Sequence, residues 1–200
     1  MEFVKSTMPK GEYKQEEQAG DVVFVRFGAT EDGDNMSYYE ACVPKEGYDR
    51  TEAEKEYNAY IEKEKAAQLS AAIAEKKKDI LAYDSEEGVG KVNNFYFMYE
   101  GQAYPYWFNA YERTVLTSEA TQWAKKYGKY RIDARKYGVS FEIDCDKLID
   151  WLGQLKDYAI KCYNKTTDHL LAVSKLTTVE EVAGYDYKAG YPDNLVFKIE

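Results

Sequence analysis

The chain predicts an α+β fold, and three observations predict it. Short runs that alternate apolar and polar residues mark strands toward both ends. From Thr51 to about Ala82 there is neither Gly nor Pro, which reads as one long helix. After Asp144 a second helix carries a continuous apolar face. The expected order is a small N-terminal β-hairpin element, a long connecting helix, and a C-terminal domain of short strands packed on one long helix.

Residues 1–20 are polar and hold Pro9, Gly11, Gly20 and the run Gln15-Glu16-Glu17-Gln18, so they are expected to form a mobile or partner-ordered arm. Asp21 to Phe27 is rich in Val and Phe and reads as a strand. Glu31 to Asn35 is a turn cluster, Tyr38 to Val43 is the returning strand, and Pro44 ends it, which gives a hairpin element over 21–48. Two strands alone are marginal in water, so this hairpin must lean on another element.

Thr51-x-x-Glu54 has the spacing of a capping box, and the helix expected from it covers 51–82, about 48 Å of axis. Its apolar stripe is thin: Tyr57, Ile61, Leu69, Ile73 and Ile80, interrupted by Lys65 and Lys76. That favours a helix bridging two domains over a self-pairing coiled coil. Tyr83 to Gly90 reads as a hinge that opens a C-terminal domain over 83–200.

Within that domain, Val92 to Tyr99 and Gln102 to Trp107 flank Glu100-Gly101 as a tight hairpin. Asn109 to about Lys126 is helical. Tyr137, Val139, Phe141 and Ile143 alternate as a half-buried strand. Asp144 or Asp146 caps the strongest helix, on which Leu148, Leu152, Leu155, Ala159, Cys162, Thr166, Leu170 and Val173 recur at steps of three and four. A capping box at Thr177-Thr178 precedes a short helix ending at Gly184, and Leu195, Phe197 and Ile199 alternate as a terminal strand.

Thirty-six acidic against 27 basic residues leave a net charge of −9, which argues against a nucleic-acid partner. The longest uncharged run, Gly101 to Tyr111, is about half the ~20 residues of a membrane helix, so no membrane partner is expected. The opening Met1-Glu2-Phe3-Val4-Lys5 lacks the basic-then-apolar pattern of a secretory signal. Cys42, Cys145 and Cys162 are widely spaced, and His169 has no second His or Cys at ligand spacing, so neither a metal nor a cofactor is expected. Asp144-Cys145-Asp146 reads as helix-capping carboxylates around an inert thiol. Asp32, Asp34 and Asn35 lack the Gly and Glu of a calcium loop, and Gly88-Val89-Gly90 lacks the Lys-Ser pair of a phosphate loop. No catalytic constellation stands out, and an enzyme is not expected.

Aromatic content is the outlier. Twenty Tyr, eight Phe and three Trp make up 16% of the chain, and nine aromatics fall between Phe95 and Tyr111. Tyr joins a large apolar ring to a polar tip, which suits half-buried sheets and wet interfaces alike. With alternate residues sharing a face, Tyr96, Met98, Tyr104 and Tyr106 are expected on one side of the hairpin and Phe95, Phe97 and Tyr99 on the other. The interface candidates are therefore Tyr96, Tyr99, Tyr104, Tyr106, Trp107 and Tyr111, with Tyr57 and Ile61 on the long helix.

The run from the Lys-rich helix end through Tyr83-Asp84-Ser85, Trp107, Arg113, Leu116, Trp151-Leu152-x-x-Leu155 and Tyr158-Ala159 carries a resemblance. The closing run Leu176-Thr177-Thr178-Val179-Glu180-Glu181-Val182-x-x-Tyr185-Asp186-Tyr187-x-x-Gly190-Tyr191-Pro192 completes it. Residues from about 76 to 200 resemble an uncharacterised C-terminal domain of tailed-bacteriophage and prophage proteins, encoded among virion and tail-fibre genes. The resemblance implies a non-enzymatic virion structural protein, adaptor or fibre-associated, assembled in the bacterial host cytoplasm. It would partner other virion or fibre proteins as an oligomer or part of a larger assembly. The alternatives are a tail-fibre assembly chaperone not retained in the virion and a glycan-binding module. No catalytic residue comes with the resemblance.

Overall fold

Val23, Val25 and Phe27 alternate with Phe24 and Arg26, the period-two pattern of a strand with one face in a core. The structure, a computed structural model, describes residues 1–88 and 90–199. Val89 of the expected hinge and Glu200 of the expected terminal domain lie outside the described residues. The fold is α+β, and the chain divides into two compact units, Met1–Ser70 and Ala71–Glu200.

The first unit is built on β1 (Val4–Pro9), β2 (Glu16–Ala19), β3 (Val22–Asp32) and β4 (Asn35–Pro44), an antiparallel sheet in the order β1-β4-β3-β2. Gly33-Asp34 closes the β3–β4 hairpin, with Asp32 paired to Asn35. Residues 1–20 are therefore not a free arm. Val4 to Pro9 ladder against Glu40 to Asn35, and Glu16 to Ala19 against Val25 to Val22. Their polarity misleads because backbone pairing needs no apolar side chain, and the one buried anchor, Phe3, precedes the strand.

The sheet's buried face presents Phe3, Val23, Val25, Phe27, Ala41 and Val43 to Ala53, Tyr57 and Tyr60 of α1 (Arg50–Ser85). This is the support that the hairpin lacks alone. Helix α1 starts one residue earlier than expected and ends three later. The Asp49 carboxylate, not Thr51, caps it, accepting from the Thr51 amide at 2.7 Å, and an anionic cap also matches the helix dipole. Helix α1 contributes to both units. Its first turns complete one core, while Ile80 and Asp84 are buried in the second unit.

The second unit continues with β5 (Asn94–Tyr99), β6 (Gln102–Trp107), α2 (Ala110–Ala124), β7 (Lys129–Ala134), β8 (Val139–Asp144), α3 (Cys145–Val173), α4 (Val179–Gly184) and β9 (Val196–Lys198). Strands β6-β5-β9 form one sheet, with β9 parallel to β5, and β7-β8 form an antiparallel ribbon. Glu100 and Gly101, at φ 50° and 78°, make the tight turn between β5 and β6. Asn109 and Glu112 cap α2 reciprocally, as Thr178 and Glu181 cap α4, and Asp144 caps α3. The core joins Phe95, Phe97, Phe141, Leu148, Leu155 and Phe197. Trp151 stacks on Phe197 with centroids 4.9 Å apart.

The expected hinge is partly a fastening. Tyr83 to Ser85 are the last turn of α1, and the backbone amides of Lys91 and Val92 donate to the Tyr83 and Asp84 carbonyls at 2.7 and 2.6 Å. Asn94 accepts from the Gly88 amide at 3.0 Å through its side-chain oxygen.

Candidate functional site

The register of the β5–β6 hairpin decides which aromatics are available. Tyr99 pairs with Gln102, so Phe97 faces Tyr104 and Phe95 faces Tyr106. Residues directly opposite in an antiparallel pair share a face. Phe95, Phe97, Tyr99, Tyr104 and Tyr106 thus lie on one side, toward Phe141 of β8. The expected grouping of Tyr104 and Tyr106 with Tyr96 is corrected by this pairing: a two-residue turn places odd residues of β5 beside even residues of β6.

Tyr104 is 7% exposed and edge-on to Phe141, so it is core rather than contact surface. The Tyr106 hydroxyl is enclosed with no hydrogen-bond partner among the described residues, and burial pushes its pKa up to about 12. Tyr99 is half-buried, 5.2 Å from Phe141 between ring centroids. On the other side lie Tyr96, Met98, Ala103, Pro105 and Trp107, continued by Val196 of β9. Ala103, Pro105 and Val196 are exposed, and Tyr96, Met98 and Trp107 are half-buried. The Trp107 indole donates to the Ser85 carbonyl at 3.3 Å, which fixes its orientation.

The remaining candidates scatter. Tyr111, in the first turn of α2, is 77% exposed. Tyr57 belongs to the core of the first unit, stacked on Phe27 at 4.9 Å and edge-on to Phe3, and is corrected from interface to core. Ile61 is half-buried. Of the eight residues, only Tyr96 and Trp107 share the open sheet face.

Three further aromatics form a group that the sequence reading did not single out. Trp123 near the end of α2, Tyr127 just beyond it and Tyr130 of β7 line an open groove with Glu119, Lys129, Arg131 and Glu142. The available signal was the alternation of Tyr130, Ile132 and Ala134 with Lys129, Arg131 and Asp133, a strand pattern beginning just after Gly128.

A buried polar cluster joins the end of α1, α3 and the closing run of the second unit. Thr166 donates to Asp84, the Tyr191 hydroxyl lies 2.7 Å from the same Thr166 oxygen, and Tyr191 stacks on His169. His169 Nδ1 is 2.8 Å from the Tyr185 hydroxyl and Nε2 is 3.0 Å from the Ala189 carbonyl. With Tyr83 edge-on to Tyr187 and Tyr191, these contacts clamp the closing run onto α1 and α3. The conspicuous tyrosines of that run are therefore structural fasteners.

Burial, with Asp144 and Asp146 alongside, holds the Cys145 thiol above its ordinary pKa, which suppresses the thiolate needed of a nucleophile. Among the described residues no group of three or more His, Cys, Asp or Glu converges as a metal-ligand set, and no helix is long and apolar enough to cross a membrane. No known protein family matches the chain, and no curated protein or solved structure matches it either. The likeness noted for residues 76–200 rests on its motifs alone.

Proposed function

We propose that the protein is a non-enzymatic adaptor that works through protein–protein contacts, as a structural or fibre-associated component of a tailed-bacteriophage virion. The observation that carries the adaptor reading is the open face of the β6-β5-β9 sheet. Tyr96, Met98, Ala103, Pro105, Trp107 and Val196 form an apolar and aromatic surface backed by a packed core. Large rings on a rigid sheet bind partners at little cost in conformational entropy, and Tyr, Trp and Met are enriched in interface centres. The virion assignment draws on the resemblance over residues 76–200.

Mass spectrometry of purified particles from a host carrying the gene tests the assignment. Stoichiometric presence supports a virion component. Presence in infected cells but absence from particles replaces it with an assembly chaperone. A Met98→Glu, Val196→Lys chain that still enters particles at the normal level removes the sheet face as the contact surface.

A further inference from the structure

We propose that the groove between the end of α2 and the β7–β8 ribbon binds a neutral carbohydrate, a function beyond the adaptor reading. Trp123 and Tyr127 are 46% and 58% exposed, with centroids 5.0 Å apart, and Tyr130 stands edge-on to Trp123 at 6.0 Å. The groove they line has a volume of about 610 Å³, within the range of roughly 300–1,000 Å³ usual for small-molecule sites. Ring surfaces of this kind accept the C–H faces of a pyranose, and leaving them in water is unfavourable in the free protein.

The charged residues around the rings select the ligand class. Glu119 and Glu142 oppose Lys129 and Arg131, so the groove has no net charge, and a free anion or cation would meet a like charge on one wall. A hydroxyl-rich neutral ligand both donates and accepts, and it can satisfy both signs at once. Tyr130 donates to Glu119 Oε2 at 2.5 Å, which orients the carboxylate and leaves the phenol oxygen able to accept. Lys129 and Glu142 are only loosely joined, at 3.9 Å, so both keep hydrogen-bonding positions open. Lys126 Nζ already lies 5.2 Å from the centroid of the Tyr127 ring, and a cationic ligand would compete with it there.

The test titrates the full-length protein with cello-, malto- and chito-oligosaccharides at millimolar concentration, followed by saturation-transfer NMR and tryptophan fluorescence. At least one series is expected to bind saturably. Trp123→Ala and Tyr127→Ala are each expected to weaken that binding about tenfold or more, while Trp107→Phe leaves it unchanged. Tyr127 is exposed enough that its substitution should preserve the fold, so it decides the matter if Trp123→Ala unfolds. Saturation by none of the three series overturns the proposal, as does binding that survives Tyr127→Ala. Tighter binding of choline or of a sialylated sugar than of any neutral one overturns it too. None of these outcomes bears on particle association, so the adaptor reading stands or falls separately.

Discussion

Thr166 donates to the Asp84 carboxylate at 2.5 Å, joining the C-terminal third of α3 to the last turn of α1 across 82 positions of sequence. Burial raises the Asp84 pKa from its ordinary 3.8, with the Thr166 hydrogen bond opposing that rise. A raised acid holds its proton more tightly folded than unfolded. Its contribution to stability is thus full below 3.8 and is lost as pH rises through the folded-state value. Asp84→Asn keeps an acceptor for Thr166 and carries no charge, so it is expected to raise the melting temperature at pH 7. The gap to the parent chain should close as pH falls toward 3.8. All three tryptophans lie in the second unit, so their fluorescence follows this transition alone. Thr166→Val leaves the carboxyl without its donor and is expected to cost about 1–3 kcal/mol.

Tyr104 and Tyr106 should respond in opposite directions to substitution. The Tyr106 hydroxyl is enclosed and has no partner among the described residues, so Tyr106→Phe removes an unfavourable group and is expected to stabilise the second unit by about 1 kcal/mol. Tyr104→Ala empties a packed site beside Phe141 and Tyr137 and is expected to cost about 3 kcal/mol. Tyr111→Ala, on the surface, should stay within about 0.5 kcal/mol of the parent. Denaturant titration of the three variants by tryptophan fluorescence checks the order.

Gly28 sets the shape of the first sheet. It sits at φ 59° in a bulge where β3 gains one residue on β4 between Phe27 and Thr30, and a Cβ there would lie 2.0 Å from the Tyr57 hydroxyl. Gly28→Ala is expected to destabilise the first unit by about 1–2 kcal/mol from the backbone alone, and further by displacing Tyr57 from Phe27. In a Tyr57→Leu background the obstructing hydroxyl is gone, so the same substitution should cost less. Hydrogen exchange of β3 and β4 in a double-mutant cycle measures the difference.

Much of this architecture is legible in the residues, because period and capping are local properties. The face of α3, the caps at Asp144 and Thr178, and the turn at Glu100-Gly101 all follow from neighbours in sequence. What was not legible depends on pairing. The side of the hairpin on which Tyr104 falls is the exception, since the two-residue Glu100-Gly101 turn already makes Phe97 its partner, and alternation along each strand alone overlooks it. Polar β1 and β2 take their stability from a ladder whose other strand lies elsewhere in the chain. The groove of Trp123, Tyr127 and Tyr130 joins a helix end to a strand pair, and its Trp123 reads in sequence as one more helical aromatic.

Strand β2 offers the sharpest check on that lesson, since all four of its residues are exposed and it lies at the sheet edge. Besides its ladder to β3, two sets of contacts hold it. Glu16 accepts from Tyr48 at 2.8 Å and from Arg50 at 2.6 Å, while Arg26, only 5% exposed, reaches Glu17 at 3.1 Å and the Lys14 carbonyl at 2.9 Å. The Arg50 and Tyr48 hydrogen bonds lower the Glu16 pKa from 4.5. A lowered acid contributes stability that is present above 4.5 and is lost as pH falls through the folded-state value. Acidification below 4.5 is therefore expected to lower the amide protection of residues 16–19, relative to the intrinsic exchange rate at each pH, before the β3–β4 ladder opens. Arg26→Met should produce the same local release at pH 7, at a cost of about 1.5–3 kcal/mol for the lost charged hydrogen bonds. Uniform acceleration across the whole sheet, with no early step at residues 16–19, would show that β2 is held by its backbone ladder and that these side-chain contacts add nothing.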